Sequence, residues 1–109
     1  MLAAIEAKNP DSEVFIAERD GVAAGCLHVL TDVDFFRRRH GHVSVLAVTL
    51  EAEGAGVASA LMAHAENWAR TRAMPFVTLN VFDTNVRAKG LYEHIGYEPE
   101  LVKYVKVLG

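Results

Sequence analysis

An α/β fold built on one mixed sheet is what this sequence predicts, and three observations carry that expectation. Two runs rich in β-branched residues, His42–Val48 and Phe76–Phe82, flank a segment, Val57–Arg72, whose apolar residues recur at helical spacing. Strand, helix and strand in that order make a parallel pair joined by a right-handed crossover. Ahead of them, Glu13–Arg19 and Ala23–Leu30 are separated by Asp20–Gly21, a two-residue hairpin signal.

Each element has its own justification. Residues 1–8 read as the last turns of a helix stopped by Asn9–Pro10. The hairpin follows, then a polar loop, Thr31–Gly41, holding the short basic cluster Arg37–His40. A regular strand over His42–Val48 places His42, Ser44, Leu46 and Val48 on one face. In the long helix Val57, Leu61, Ala65 and Trp68 line one side, which makes Trp68 a core residue. Phe76–Phe82 alternates, with Val77, Leu79 and Val81 on one side. Asn85–Ile95 is a second helix with Ala88, Leu91, Tyr92 and Ile95 as its stripe, and Gly96 stands where a helix-ending glycine belongs. Leu101–Leu108 closes the sheet as a final strand.

The bulk numbers bound the function. A chain of 109 residues with 51% hydrophobic content makes one domain, residues 1–109, with a real core. A net charge of −3 and a pI near 5.9 argue against nucleic acid, which needs a clustered basic excess. No apolar run approaches the ~20 residues of a membrane span. Cys26 is the single cysteine and no leader-like start is visible, so a cytoplasmic protein is expected.

Ligands of such sheets bind at the carboxyl ends of the strands, here beside Val48 and Phe82. Glu53-Gly54-Ala55-Gly56-Val57-Ala58 lies between the central strand and the long helix. Glycines there allow close backbone approach, and first-turn amides without helical partners suit a pyrophosphate. An ordinary glycine loop is one rival reading. A dinucleotide fingerprint is another, with GAGVAS approximating G-x-G-x-x-G/A and Asp83 as the ribose acid. Against it, Thr49–Glu53 intervene before the first glycine, and the chain ends too soon for a doubly wound fold.

A second motif decides between them. Asn85–Tyr97, NVRAKGLYEHIGY, resembles the N-x-x-A-x-x-L-Y-E-x-x-G-F/Y signature of GNAT-type N-acetyltransferases at every fixed position. Upstream, Leu46-Ala47-Val48 followed by EGAGVASALM is similar to that family's acetyl-CoA loop, Q/R-x-x-G-x-G/A, with Gly56 and Ala58 in its last two fixed places. The resemblance covers about residues 13–108, in order and spacing. It implies a splayed central mixed sheet flanked by helices, without the family's usual first strand and helices. It also implies acetyl-CoA as co-substrate. The backbone of Leu46, Ala47 and Val48 would pair with the pantetheine arm, and the Leu46 N–H would polarise the acetyl carbonyl. Gly54, Ala55, Gly56, Val57, Ala58 and Ser59 would hold the pyrophosphate. Asn85 would hydrogen-bond the cofactor and Tyr92 would face the thioester sulfur. The acceptor would be a small-molecule amine or an amine of a peptide or protein.

Two departures stand out. Glu53 replaces the family's Gln or Arg and sets a carboxylate near a phosphate, which predicts weaker affinity. The short start leaves the acceptor site without its usual wall and predicts a homodimer. Both features keep a non-catalytic CoA-binding or assembly module as the alternative. For the chemistry, Tyr92 is the candidate donor to the thiolate and His42 the candidate base, since imidazole titrates near 6.5. Cys26 and His28 share a strand face, which raises covalent catalysis against simple core packing. His40 and His42 also share a face, but no acidic or cysteine ligand lies at metal spacing in the sequence, so no metal is expected.

Overall fold

The computed structural model describes residues 2–5 and 11–109, the first group as backbone only. Five strands line up in chain order: β1 (Leu2–Ile5), β2 (Ser12–Arg19), β3 (Val22–Val33), β4 (Arg39–Val48) and β5 (Val77–Leu79). Helix α1 (Val57–Thr71) connects β4 to β5, and α2 (Val86–His94) follows. All pairings are antiparallel except β4–β5, the parallel pair that the crossover was expected to make.

The hairpin turns where Asp20–Gly21 signalled it. Both residues have positive φ, 53° and 79°, the geometry that lets a two-residue turn follow the right-handed strand twist. The next turn is tighter than the expected loop Thr31–Gly41, because β3 runs on to Val33 and β4 starts at Arg39. Asp34 closes it: one carboxylate oxygen accepts the Phe36 and Arg38 amides at 2.9 and 2.8 Å, and the other accepts the Arg38 guanidinium at 2.7 Å. The basic cluster is therefore divided between a turn and the start of a strand.

One face of the sheet carries the core. Val57, Leu61, Ala65 and Trp68 of α1 are all buried, as their spacing required, and Leu61 meets Leu27 and Val29 of β3 in the fully enclosed centre. Gly25 makes that approach possible. A β-carbon there would lie 2.7 Å from the Ala47 carbonyl oxygen and 3.1 Å from Val57. Tyr97 fastens the end of α2 to α1 by donating its hydroxyl to Glu66 at 2.7 Å.

Three expectations fail, each because strands are made by neighbours. Leu2–Ile5 is a strand paired with β2, not a helix; a short helix is weakly self-stabilising, and the open edge of β2 supplies ladder partners. The expected stop at Asn9–Pro10 lies outside the described residues. β5 covers only Val77–Leu79 of the expected Phe76–Phe82, since β4 diverges after Val43. Leu101–Leu108 is rich in strand-forming residues, yet pairs with nothing among the described residues and is exposed throughout. Strand propensity describes a fit to a pleated surface and supplies no partner strand.

Stability measurements check this division. Leu61→Ala should cost about 2–5 kcal/mol of unfolding free energy, while Val107→Ala should fall within about 0.5 kcal/mol of the parent. A large loss at Val107 would mean that the terminal segment is packed.

Candidate functional site

The parallel ladder of β4 and β5 has three registered pairs, ending at Val43↔Leu79. β4 continues to Val48, so its β5-facing edge is without a strand partner from Ser44 onward among the described residues. Backbone groups in such a gap need another partner. The gap opens on a cleft of about 520 Å³ between the β4 end, the loop into α1 and the first turns of α2.

A bulge aims the β4 backbone. Val29 pairs with Val43 but His28 pairs with Val45, which makes Ser44 the extra residue. The regular strand expected here would put His42, Ser44, Leu46 and Val48 on one face. Instead Val43, Leu46 and Val48 all turn toward α1, and His42 lies on the opposite face, which is helix-free among the described residues. Amide direction alternates together with side-chain face. The Gly41 N–H reaches across to the Phe76 carbonyl at 3.1 Å. Leu46 and Val48, returned by the bulge to the face Gly41 shares, therefore point their amides into the same gap.

The loop behaves as its glycines suggest. Gly54 and Gly56 sit at φ 79° and 80°, and Gly56 is the N-cap of α1. The first helical bond of α1 is given by Ala60 to Gly56 at 3.0 Å, so the amides of Val57, Ala58 and Ser59 precede the ladder. No acidic residue stands in that first turn, which leaves the positive end of the helix unopposed.

Glu53 is answered by a residue that sequence reasoning missed. Its carboxylate accepts from Arg87 at 3.1 Å, and both side chains line the cleft. The signal was available: an uncompensated carboxylate beside a phosphate site calls for a cation, and Arg87 is the first one in the second motif. Asn85 caps α2 by accepting the Ala88 amide at 3.1 Å, so its oxygen is committed to the helix and its amide group is not used by the cap.

Tyr92 is the side chain that joins the two halves. It borders both this cleft and a larger one, about 970 Å³, along β5 and residues 97–104. Its ring meets Tyr97 edge to face at 6.2 Å, and burial pushes its hydroxyl above the ordinary tyrosine range. The cleft thus gathers Leu46, Val48, Gly54, Gly56, Val57, Ala58, Ser59, Asn85 and Tyr92. Ala47 points away from it, being paired with Cys26 on the helix-free face, and Ala55 does not line it. His42 stands on that other face with Nδ1 2.8 Å from Thr78 Oγ1. Burial, with His40 adding to it, lowers the His42 pKa below the usual 6.5 by more than Asp32 restores. Beside it, Ser44 Oγ lies 2.7 Å from His28 Nδ1.

Known proteins share this fold. The profile of the Acetyltransferase (GNAT) family matches residues 2–97. A mycothiol acetyltransferase of Beutenbergia cavernae is 40% identical over 62 residues, covering 57% of this chain and 21% of that protein. The chain thus spans about a fifth of that relative. A Pyrococcus furiosus protein described as an acetyl transferase superposes with TM-score 0.82 at 25% identity, covering 90% of this chain and 66% of that one. The aminoglycoside N-acetyltransferase AAC(6')-Iy, solved with CoA, gives 0.77 at 20% identity, covering 90% and 78%. At that identity the last match speaks to fold alone.

The Glu53–Arg87 pair is testable with CoA as ligand. Glu53→Gln frees Arg87 for phosphate and should tighten binding up to about fivefold at low salt, the range of an exposed ion pair. Arg87→Ala should weaken it by a similar factor, and both effects should shrink as salt is raised. Calorimetry showing weaker binding in Glu53→Gln would give the carboxylate a structural task instead.

Proposed function

The chain belongs to the acetyltransferase (GNAT) family, and from that premise we propose that it moves an acetyl group from acetyl-CoA to a primary amine by direct attack. One observation carries this reading. The phosphate-suited amides of α1, the unpaired edge of β4 and the Tyr92 side chain all open on the same cleft. Glu53, which favoured a non-catalytic binding module, is neutralised by Arg87 and no longer argues against a bound phosphate.

Acetyl-CoA supplies an activated carbonyl and a thiolate leaving group. The chain supplies three aids to the transfer. The amides of Val57, Ala58 and Ser59, with Arg87 nearby, hold the diphosphate at the helix N-terminus. The Leu46 N–H, aimed into the β4–β5 gap, donates to the carbonyl oxygen as the amine nitrogen bonds to its carbon. Tyr92 donates a hydrogen bond to the sulfur as the carbon–sulfur bond breaks. Its hydroxyl, raised by burial, is a weaker acid than a thiol, so it stabilises the thiolate without surrendering its proton. The acceptor approaches from the helix-free face and gives its proton to His42, whose lowered pKa keeps it neutral at pH 7. A small-molecule or peptide amine fits this scheme, in the cytoplasm, where a free cysteine is at home.

A pH series on wild type, Tyr92→Phe and His42→Gln tests these roles together. Tyr92→Phe should bind acetyl-CoA normally and lose about 10²-fold in turnover. The base must be unprotonated, so wild-type kcat/KM should fall as pH drops through a value below 6.5, and His42→Gln should lack that inflection. Unchanged turnover in Tyr92→Phe makes that residue a packing element. An inflection that persists in His42→Gln assigns the base elsewhere.

The same reading includes a homodimer. Leu101, Val102, Tyr104, Val105, Val107 and Leu108 are all exposed, and β5 is the edge strand of the sheet among the described residues. Sedimentation should show a dimer at micromolar concentration. A monomer persisting at high concentration removes self-association from the account.

A further inference from the structure

The helix-free face of the sheet carries a second group of polar side chains, away from the cleft. Asp32 of β3 is the cross-strand partner of His40 on β4, and His42 follows two residues on along the same face. One carboxylate oxygen and one nitrogen from each imidazole lie within 4.8 Å of one another. The acidic ligand missing from the sequence around His40 and His42 therefore comes from the neighbouring strand, by register.

The two imidazoles are already oriented. His40 is 3% exposed, its ring stacks on Phe76 at 4.7 Å, and its Nδ1 lies 2.9 Å from the Arg38 carbonyl oxygen. A carbonyl only accepts, so Nδ1 carries the proton and Nε2 the free lone pair. His42 Nδ1 lies 2.8 Å from Thr78 Oγ1, and when Nδ1 donates to that hydroxyl Nε2 is the nitrogen left for an ion. Supporting hydrogen bonds of this kind fix the tautomer and ring angle of metal-ligating histidines. Asp32 accepts the Val33 amide on Oδ1 at 2.8 Å and keeps its second oxygen. The nearby cations are engaged elsewhere: Arg38 with Asp34 and Glu100, Arg39 with the Arg72 carbonyl.

We infer that Asp32, His40 and His42 form a site for one divalent late first-row transition ion of the Zn²⁺ or Co²⁺ kind, with its remaining position open to solvent. Two imidazoles and a carboxylate suit that class and are poor ligands for Mg²⁺ or Ca²⁺. Ligands at about 2.0–2.2 Å from a tetrahedral ion stand about 3.3–3.6 Å apart. The closure required falls on the exposed Asp32 side chain, and the buried His40 serves as the fixed point.

Titration calorimetry of the metal-free chain, without CoA or acceptor, tests the site. Ion binding and proton acceptance compete for the same His42 nitrogen, so leaving out substrates keeps the result independent of the transferase reading. Zn²⁺ should bind at one equivalent per chain near neutral pH and be released on acidification, when the imidazoles protonate. Co²⁺ should show the intense visible bands of a tetrahedral site, and Mg²⁺ should not bind. Asp32→Asn, nearly isosteric and exposed, should weaken Zn²⁺ at least about tenfold, as should His40→Ala, with thermal melts confirming that each variant folds. His94→Ala, a surface histidine on α2, should bind as the parent does. No saturable Zn²⁺ binding, parental affinity in Asp32→Asn, or equal weakening in His94→Ala would overturn the assignment.

Discussion

Backbone amides and carbonyls must be paired, and the parting of β4 from β5 leaves a row of them on β4 without a strand partner among the described residues. The ladder between these strands stops at Val43↔Leu79, while β4 runs on to Val48. A gap of this kind is costly when dry and unfilled. It persists because α1, α2 and the connecting loops converge on its edges and turn it into a cleft. The ligand proposed for this cleft is an extended chain bearing amides of its own.

The chemistry of the cleft is set by fixed partial charges more than by ionised side chains. Gly54 and Gly56 both take left-handed conformations, which turn the loop so that the first amides of α1 face outward. The one carboxylate at the entrance, Glu53, is paired across the cleft with Arg87. Both members are well exposed, so the pair contributes little to folding. Its consequence is local: a departure that would repel phosphate is offset within the same cleft, by a residue of the second motif.

A single inserted residue separates the two faces of the sheet functionally. Because Ser44 is a bulge, Val43 and Leu46 both face α1 although they are three apart, and His42 faces away. One side of β4 thereby packs the core and lines the cleft, while the other presents His42 against Thr78 and, further along, Ser44 against His28. A regular strand would have placed His42 and Leu46 on the same surface. In the proposed reaction the bulge lets two substrates meet from opposite sides of one strand.

Much of this was legible in the residues. The stripe of Val57, Leu61, Ala65 and Trp68 fixed α1 and its buried face, because helical period is local. Asp20–Gly21 fixed the hairpin, and the pair of motifs located the cleft and most of its lining, including Gly56, Asn85 and Tyr92. Pairing was not legible. Whether Leu2–Ile5 coils or pairs, where β5 stops, and whether Leu101–Leu108 joins the sheet all depend on a neighbour's free edge, which no local pattern records. The bulge at Ser44, the Glu53–Arg87 pair and the meeting of Asp32 with His40 are of the same kind. The sequence determined by itself which segments turn, coil and present first-turn amides without helical partners, since those properties belong to short stretches of chain. Only the tertiary structure decided which faces and charges meet, because register is a relation between strands far apart in the chain.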